Sequence, residues 1–373
     1  MLAAVLALSL FAISAQDLGA YDPLCAGVAA EYDSTRGGFV TNDMMPATSA
    51  VELAFQIAAE KDDAVWRQRG VRTVDWAITL FDSVGGGFYD SQKDAKPAEP
   101  FFGKHTTTNA ERFFNLLDAW HATNDVHYRK VADRVIDYAD RVLLDGRGGF
   151  VDGQVGDRQT VPESNGVMIR AWLSYAALDG NTQRRGFAWK SLDRLWSECW
   201  VDGPGMLRKD EMGAATIEPQ LMDQVEMGRA YVWAAHLAGR EVDLAHARTI
   251  GDQLLTVFEA PGDGFRSSAM MDKNGKIKGN GRKSDENARA VRFLAELAAE
   301  TGDAKYRDAA RRVTAEFDKD MKKSQKLDGA EWALALRAQQ VSDLPERVTW
   351  KEPPPPKPKS NVTNFPMPKK HHH

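Results

Sequence analysis

The chain has 373 residues, 43% hydrophobic and 27% charged, which gives it the apolar material for a large core and excludes a disordered or fibrous class. A net charge of −5, with no basic stripe interleaved with aromatics, argues against a nucleic-acid partner. Its two cysteines, Cys25 and Cys199, form no C-x-x-C, which excludes a thioredoxin-type redox centre and a zinc knuckle and leaves either a disulfide or two buried thiols.

In chain order, the first element is the apolar run MLAAVLALSLFAISAQD, which ends in Ile-Ser-Ala before Gln16. Its length suits a secretory signal peptide over residues 1–15 and is too short to span a bilayer. Its n-region lacks Lys and Arg, and an ordinary helix is the alternative. No later segment reads as a transmembrane helix, so the expectation is an exported protein, periplasmic or secreted, without a membrane span.

Four glycine–aromatic phrases follow: GGFV at 37–40, GGGFY at 85–89, GGFVD at 148–152 and GDGF at 262–265, with GPGML at 203–207 filling the gap. The marker residues Phe39, Phe88, Phe150, Met206 and Phe265 are separated by 49, 62, 56 and 59 positions. Two helices of about 15 residues plus two loops account for that period. Residues 109–135 and 287–313 match without a gap at an offset of 178, from Asn109/Asn287 to Arg134-Val135/Arg312-Val313, which is three such repeats.

Apolar spacing is helical within each repeat, as in Phe113, Leu116, Leu117 and Trp120. Capping boxes are expected at Ser49 with Glu52, Thr108 with Glu111, and Thr160 with Glu163, giving those three glutamates a structural role. One helix before Gly37, five hairpins and a last helix near 329–340 make twelve. A half-hairpin at each end lets the last helix pair with the first. The predicted fold is all-α, an (α/α)6 toroid over residues 18–345, with an open solenoid as the alternative. Glycine in each phrase is expected to cap the second helix of a hairpin.

The chain closes with KEPPPPKPKSNVTNFPMPKKHHH, in which five Lys against one Glu give +4. Four consecutive prolines favour an extended segment. Residues 346–373 are read as a Pro/Lys-rich disordered tail, either solubilising or in contact with anionic envelope polymers.

Several phrases resemble the helical toroid of the YyaL-like family, which includes the spermatogenesis-associated thioredoxin-domain proteins, over roughly residues 30–340. YDSTRGGFVTNDMMPATSAVELAFQIA is similar to its Y/F-D-x-x-x-G-G-F-x-x-x-P-K-F-P segment, and GRKSDENARAVRFLAELAAETGDAKY to its later T-G-D-x-x-Y segment. EPFFGKHTTTNAERFF resembles its H-F-E-K-M-L-Y-D-N-A motif, where the His position holds Phe101, the Glu Gly103 and the Asp Thr108, while Lys104, Asn109 and Ala110 remain. Of its W-N-G-L segment only Trp172 is kept. The resemblance implies a six-hairpin-glycosidase type of toroid, without the thioredoxin domain.

In such a ring the loops after each phrase open on one face. A funnel walled by Phe39, Phe88, Tyr89, Phe101, Phe102, Phe150 and Phe265 would suit the C–H faces of a sugar. Expected substrate contacts are Phe88, Tyr89, Phe101, Phe102, Lys104, Asn109, Asn165, Asp285 and Asn287. Each of the three asparagines has local backbone bonding as its plainer role. Glu218 and Asp223 are the expected acid/base pair, since Glu218 precedes a proline outside the helix, and His105 is a candidate base for an epimerase-type step. No metal ligand set and no nucleotide-cofactor motif is present, so neither a metal nor a cofactor is expected. The functional expectation is an exported carbohydrate-active protein, a glycoside hydrolase or sugar epimerase in type. The alternative is a non-catalytic toroid that binds a glycan or a protein through the same face.

Overall fold

The computed structural model describes residues 20–92, 100–101, 103–154, 159–210, 212–215, 218–271, 277–323 and 326–340. The expected signal peptide and the C-terminal tail lie outside them. Thirteen α-helices occur among the described residues. Six form an inner ring in the order α2 (Thr48–Lys61), α4 (Thr106–Thr123), α6 (Pro162–Asp179), α8 (Leu221–Ala238), α10 (Ser284–Thr301) and α13 (Gly329–Ala338), each packed on the next and α13 back on α2. The outer layer is α1 (Tyr21–Ala30), α3 (Ala64–Ile78), α5 (Val126–Tyr138), α7 (Thr182–Cys199), α9 (Glu241–Gln253) and α11 (Ala304–Glu316), and a short α12 (Asp318–Lys323) follows α11. α1 pairs with α13. The first and last helices thus form the sixth hairpin, and the (α/α)6 ring closes with no apolar edge.

The hairpin turns follow from local chemistry. Inner helices α2, α4, α6, α8 and α10 end on the left-handed residues Asp62, Asn124, Gly180, Gly239 and Gly302, the residue types that tolerate positive φ. Directly after, Asp63, Asp125, Asn181 and Asp303 cap the next outer helix by accepting its free N–H groups. These left-handed caps end the first helix of each hairpin, whereas the glycine phrases were expected to cap the second.

The phrases do something else. Each closes a short antiparallel pairing behind an outer helix, two residues long for Tyr32 with Phe39, Trp200 with Met206 and Glu259 with Phe265, and a single bridge for Phe81 with Phe88 and Leu144 with Phe150. In the last four, a bond runs from the residue after the marker to the residue before its partner, as from Arg266 N–H to Phe258 O at 3.0 Å. The marker's own N–H and C=O therefore face away from the ladder. An amide from the first turn of the next inner helix takes both: Asn109 for Phe88, Asn165 for Phe150, Gln224 for Met206 and Asn287 for Phe265. Glycine before the marker leaves room for this. A Cβ on Gly264, whose φ is +73°, would stand 2.7 Å from Asn287 Oδ1. The marker rings themselves are fully buried in the core.

Candidate functional site at the mouth of the ring

The N-termini of the six inner helices meet at one end of the ring. α4 and α10 stand opposite each other, and the 178-residue offset places Glu111 and Arg289 at the same level. Arg289 Nη1 reaches Glu111 Oε1 at 3.0 Å across the bore. Arg289 also bonds Glu331 at 2.9 Å and lies 3.6 Å from Glu226. Below, Arg170 holds Glu226 at 2.5 Å, Arg229 pairs with Glu296, and Arg292 with Glu52 and Glu296. Burial works against ionising Glu226, but three surrounding guanidinium groups hold its carboxyl down at about 2. Asp118, two turns along α4 from Glu111, has its carboxyl raised well above the usual range by burial and by Glu52. Ion pairs therefore fill the bore beneath the mouth.

Glu52, Glu111 and Glu163 are bore and mouth groups, not parts of capping boxes. Helices α2 and α4 begin before Ser49 and Thr108, and N-caps Ala47, His105 and Val161 make no side-chain cap bond. Ser49 and Thr48 turn instead to Glu331 and Glu111. At the mouth a cleft of about 220 Å³ is lined by Thr48, Ser49, Glu111, Arg112, Asp285, Asp328 and Glu331, with Thr41 and Met45, Pro46 and Ala47 along one wall.

A carboxylate pair stands beside it, on α6 and α8. Arg208 donates from Nε to Asp223 Oδ2 at 2.8 Å and from Nη2 to Glu163 Oε2 at 3.2 Å. Asp223 is fully buried, and its other oxygen accepts the Glu163 N–H at 3.1 Å. The Glu163 side chain is 28% exposed, and burial together with the charges of Asp223 and Glu226 pushes its carboxyl up to about 7. The Asp223 carboxyl is also raised by burial, against the pull of Arg208. One fixed, guanidinium-paired carboxylate thus adjoins an accessible acid that exchanges its proton near neutrality. A third acid–base group is His105, whose Nδ1 meets Asp90 Oδ2 at 2.6 Å, a bond that raises its basicity.

The other expected residues are placed as follows. Glu218 is not brought to Asp223: its carboxylate accepts from Ser268 Oγ at 2.5 Å, and the two acids share no partner among the described contacts. Asp223 instead pairs with Glu163, which sequence reasoning had set aside as a cap. Phe88, like Phe39, Phe150 and Phe265, is 0% exposed and lines no rim. These rings face the core because the amide lock fixes the backbone outward and the side chain inward. Tyr89 is half-buried, its hydroxyl donating to Asp82 at 3.2 Å. Lys104 is 4% exposed and clamps Asp82 (2.7 Å) and the Gly86 carbonyl (2.9 Å), so it tethers a loop rather than facing the cleft. Asn109, Asn165 and Asn287 are the locks already described. Asp285 is exposed and lines the cleft. Phe101 lies in a two-residue ladder with Ser91, its side chain outside the description, and Phe102 lies outside the described residues. Cys25 and Cys199 are buried and free. No described helix is long and apolar enough to cross a membrane, and no group of three metal-binding side chains occurs among the described residues.

No family model and no curated protein sequence matches the chain. Solved structures do match its fold. The cellobiose 2-epimerase of Spirochaeta thermophila superposes with a TM-score of 0.68 at 12% identity, over 83% of this chain and 90% of that one. A glycoside hydrolase family 76 mannosidase of Bacteroides thetaiotaomicron gives 0.64 at 12% identity, over 86% and 97%. An inactive variant of a Salegentibacter α-1,6-mannanase, solved with α-1,6-mannotriose, gives 0.51 at 13%, over 72% and 70%. The chain has the six-hairpin-glycosidase-like toroid fold that these proteins share.

Proposed function

We propose that this is an exported carbohydrate-active protein, a glycoside hydrolase or sugar epimerase in type, that takes a saccharide into the mouth of the ring. The observation that carries the reading is the Glu163–Arg208–Asp223 constellation beside the cleft. Glycoside cleavage needs one protonated and one ionised carboxyl group, and unequal environments assign those states. Glu163 is the proton-transfer group, accessible and titrating near neutrality; Asp223, fixed by Arg208, is the ionised partner. In an epimerase-type reaction Glu163, or His105 held by Asp90, removes and returns a proton beside a carbonyl. Export rests on the apolar opening run, and the YyaL-like resemblance on the phrases quoted above.

The filled bore favours a second reading, a toroid that binds a glycan or protein at the mouth without turnover. Incubation of the purified chain with cellobiose, α-1,6-mannobiose and mannose, followed by product chromatography, separates the two. Catalysis predicts turnover that Glu163→Gln lowers by about 10²–10⁴; with Glu163 as the acid of a hydrolase it declines above pH 7, and with Glu163 as the base of an epimerase it rises as pH approaches 7. Binding without turnover in the wild type leaves the second reading standing, and turnover unaffected by Glu163→Gln removes Glu163 from its role.

A further inference from the structure

Charge in the cleft is unevenly compensated. Four acids line it, Glu111, Asp285, Asp328 and Glu331, against one lining cation, Arg112. Both terminal nitrogens of Arg112 are held by the carbonyls of Tyr89 and Asp90, at 2.5 Å each. Arg289, behind the lining, is spent on Glu111 and Glu331. Lys283 is tied to Glu286 at 2.8 Å, and Lys326 is exposed outside the lining. Setting Arg112 and Arg289 against the four acids leaves two negative charges, those of the exposed Asp285 and Asp328. A third group points the same way. Glu331 is 8% exposed, yet its bonds from Ser49 and Arg289 all fall on Oε1, which leaves Oε2 for the cleft.

We infer that the mouth selects a saccharide carrying a free ammonium group, a hexosamine, over neutral sugars and over uronic acids or sugar phosphates. This rests on the proposed saccharide site. The carboxylates are spread along the cleft wall, and no three described side chains converge to hold a metal ion, so an organic cation with several hydroxyl contacts fits them better.

Calorimetric titration of the full chain at neutral pH and low salt, with glucosamine, glucose and glucuronate, tests it. Glucosamine is expected to bind about tenfold tighter than glucose, with glucuronate weakest and added salt narrowing the gap. Replacing both exposed acids, Asp285→Asn with Asp328→Asn, brings the glucosamine-to-glucose ratio towards one, while Asp22→Asn on α1 leaves the ratio as it is. Equal binding of glucosamine and glucose, or a ratio that survives the double replacement, overturns the inference and leaves the saccharide site intact. Failure of all three sugars to bind overturns both.

Discussion

Replacing Asn287 with Ala isolates the amide lock. Asn287 Oδ1 accepts the Phe265 N–H at 2.7 Å, and Nδ2 donates to the Phe265 carbonyl and the Lys283 carbonyl, each at 2.9 Å. The Lys283 carbonyl keeps its bond from the Asn287 backbone, so it stays satisfied. Both Phe265 peptide groups lose their partner, and Phe265 is 0% exposed, so water does not replace it. At about 1–3 kcal/mol for each of the two buried orphans, the loss sums to about 2–6 kcal/mol. Asn287→Asp keeps the acceptor but sets a charged oxygen against two carbonyls. Burial and those carbonyls raise the new carboxyl above its unfolded value, so its destabilisation exceeds that of Ala at neutral pH and eases as pH falls. Urea unfolding followed by circular dichroism gives both numbers from midpoints at constant slope. A shift below about 1 kcal/mol for Asn287→Ala refutes the lock, and loss of sugar binding at unchanged stability restores the asparagine to the ligand.

Other outcomes follow from the ring's centre. A Cβ at residue 166 would meet the Glu226 backbone at 2.5 Å, where α6 and α8 run against each other, so Gly166→Ala lowers stability by about 1–3 kcal/mol or more in the same assay. Glu226→Ala strands Arg170 in the bore and costs about 3–5 kcal/mol, whereas the joint change Glu226→Leu with Arg170→Met costs far less, read from a double-mutant cycle. Because the Glu163 carboxyl is raised to about 7 from an ordinary 4.5, the folded chain binds this proton more tightly. That contribution to stability is present below the unfolded value and is lost as pH rises towards 7. A Tm series from pH 4 to 8 should show a slope from this group that Glu163→Gln removes.

Much of the fold was legible because each repeat is written locally. Helical periodicity, the glycine phrases and the 178-residue match set the number and order of hairpins, and the half-hairpin at each end implied ring closure. The role of the phrases was misread because a glycine before an aromatic suits a helix cap and a tight ladder equally well. Only the non-hydrogen-bonded register distinguishes them, and register is a contact between segments. Similarly, S/T-x-x-E at a helix start reads as a capping box until the true first residue is known. A shift of one to three residues turns Glu52, Glu111 and Glu163 away from their own helices.

The sequence by itself determined twelve main helices and their closure, since propensity, capping and apolar spacing act over a few residues. What lies in the middle was decided by the tertiary structure. Glu111 and Arg289 meet from opposite sides of the ring, and Glu163, Arg208 and Asp223 come from three separate stretches. Coulombic pairing and desolvation depend on distance in space, and only ring closure brings these charges within reach of one another.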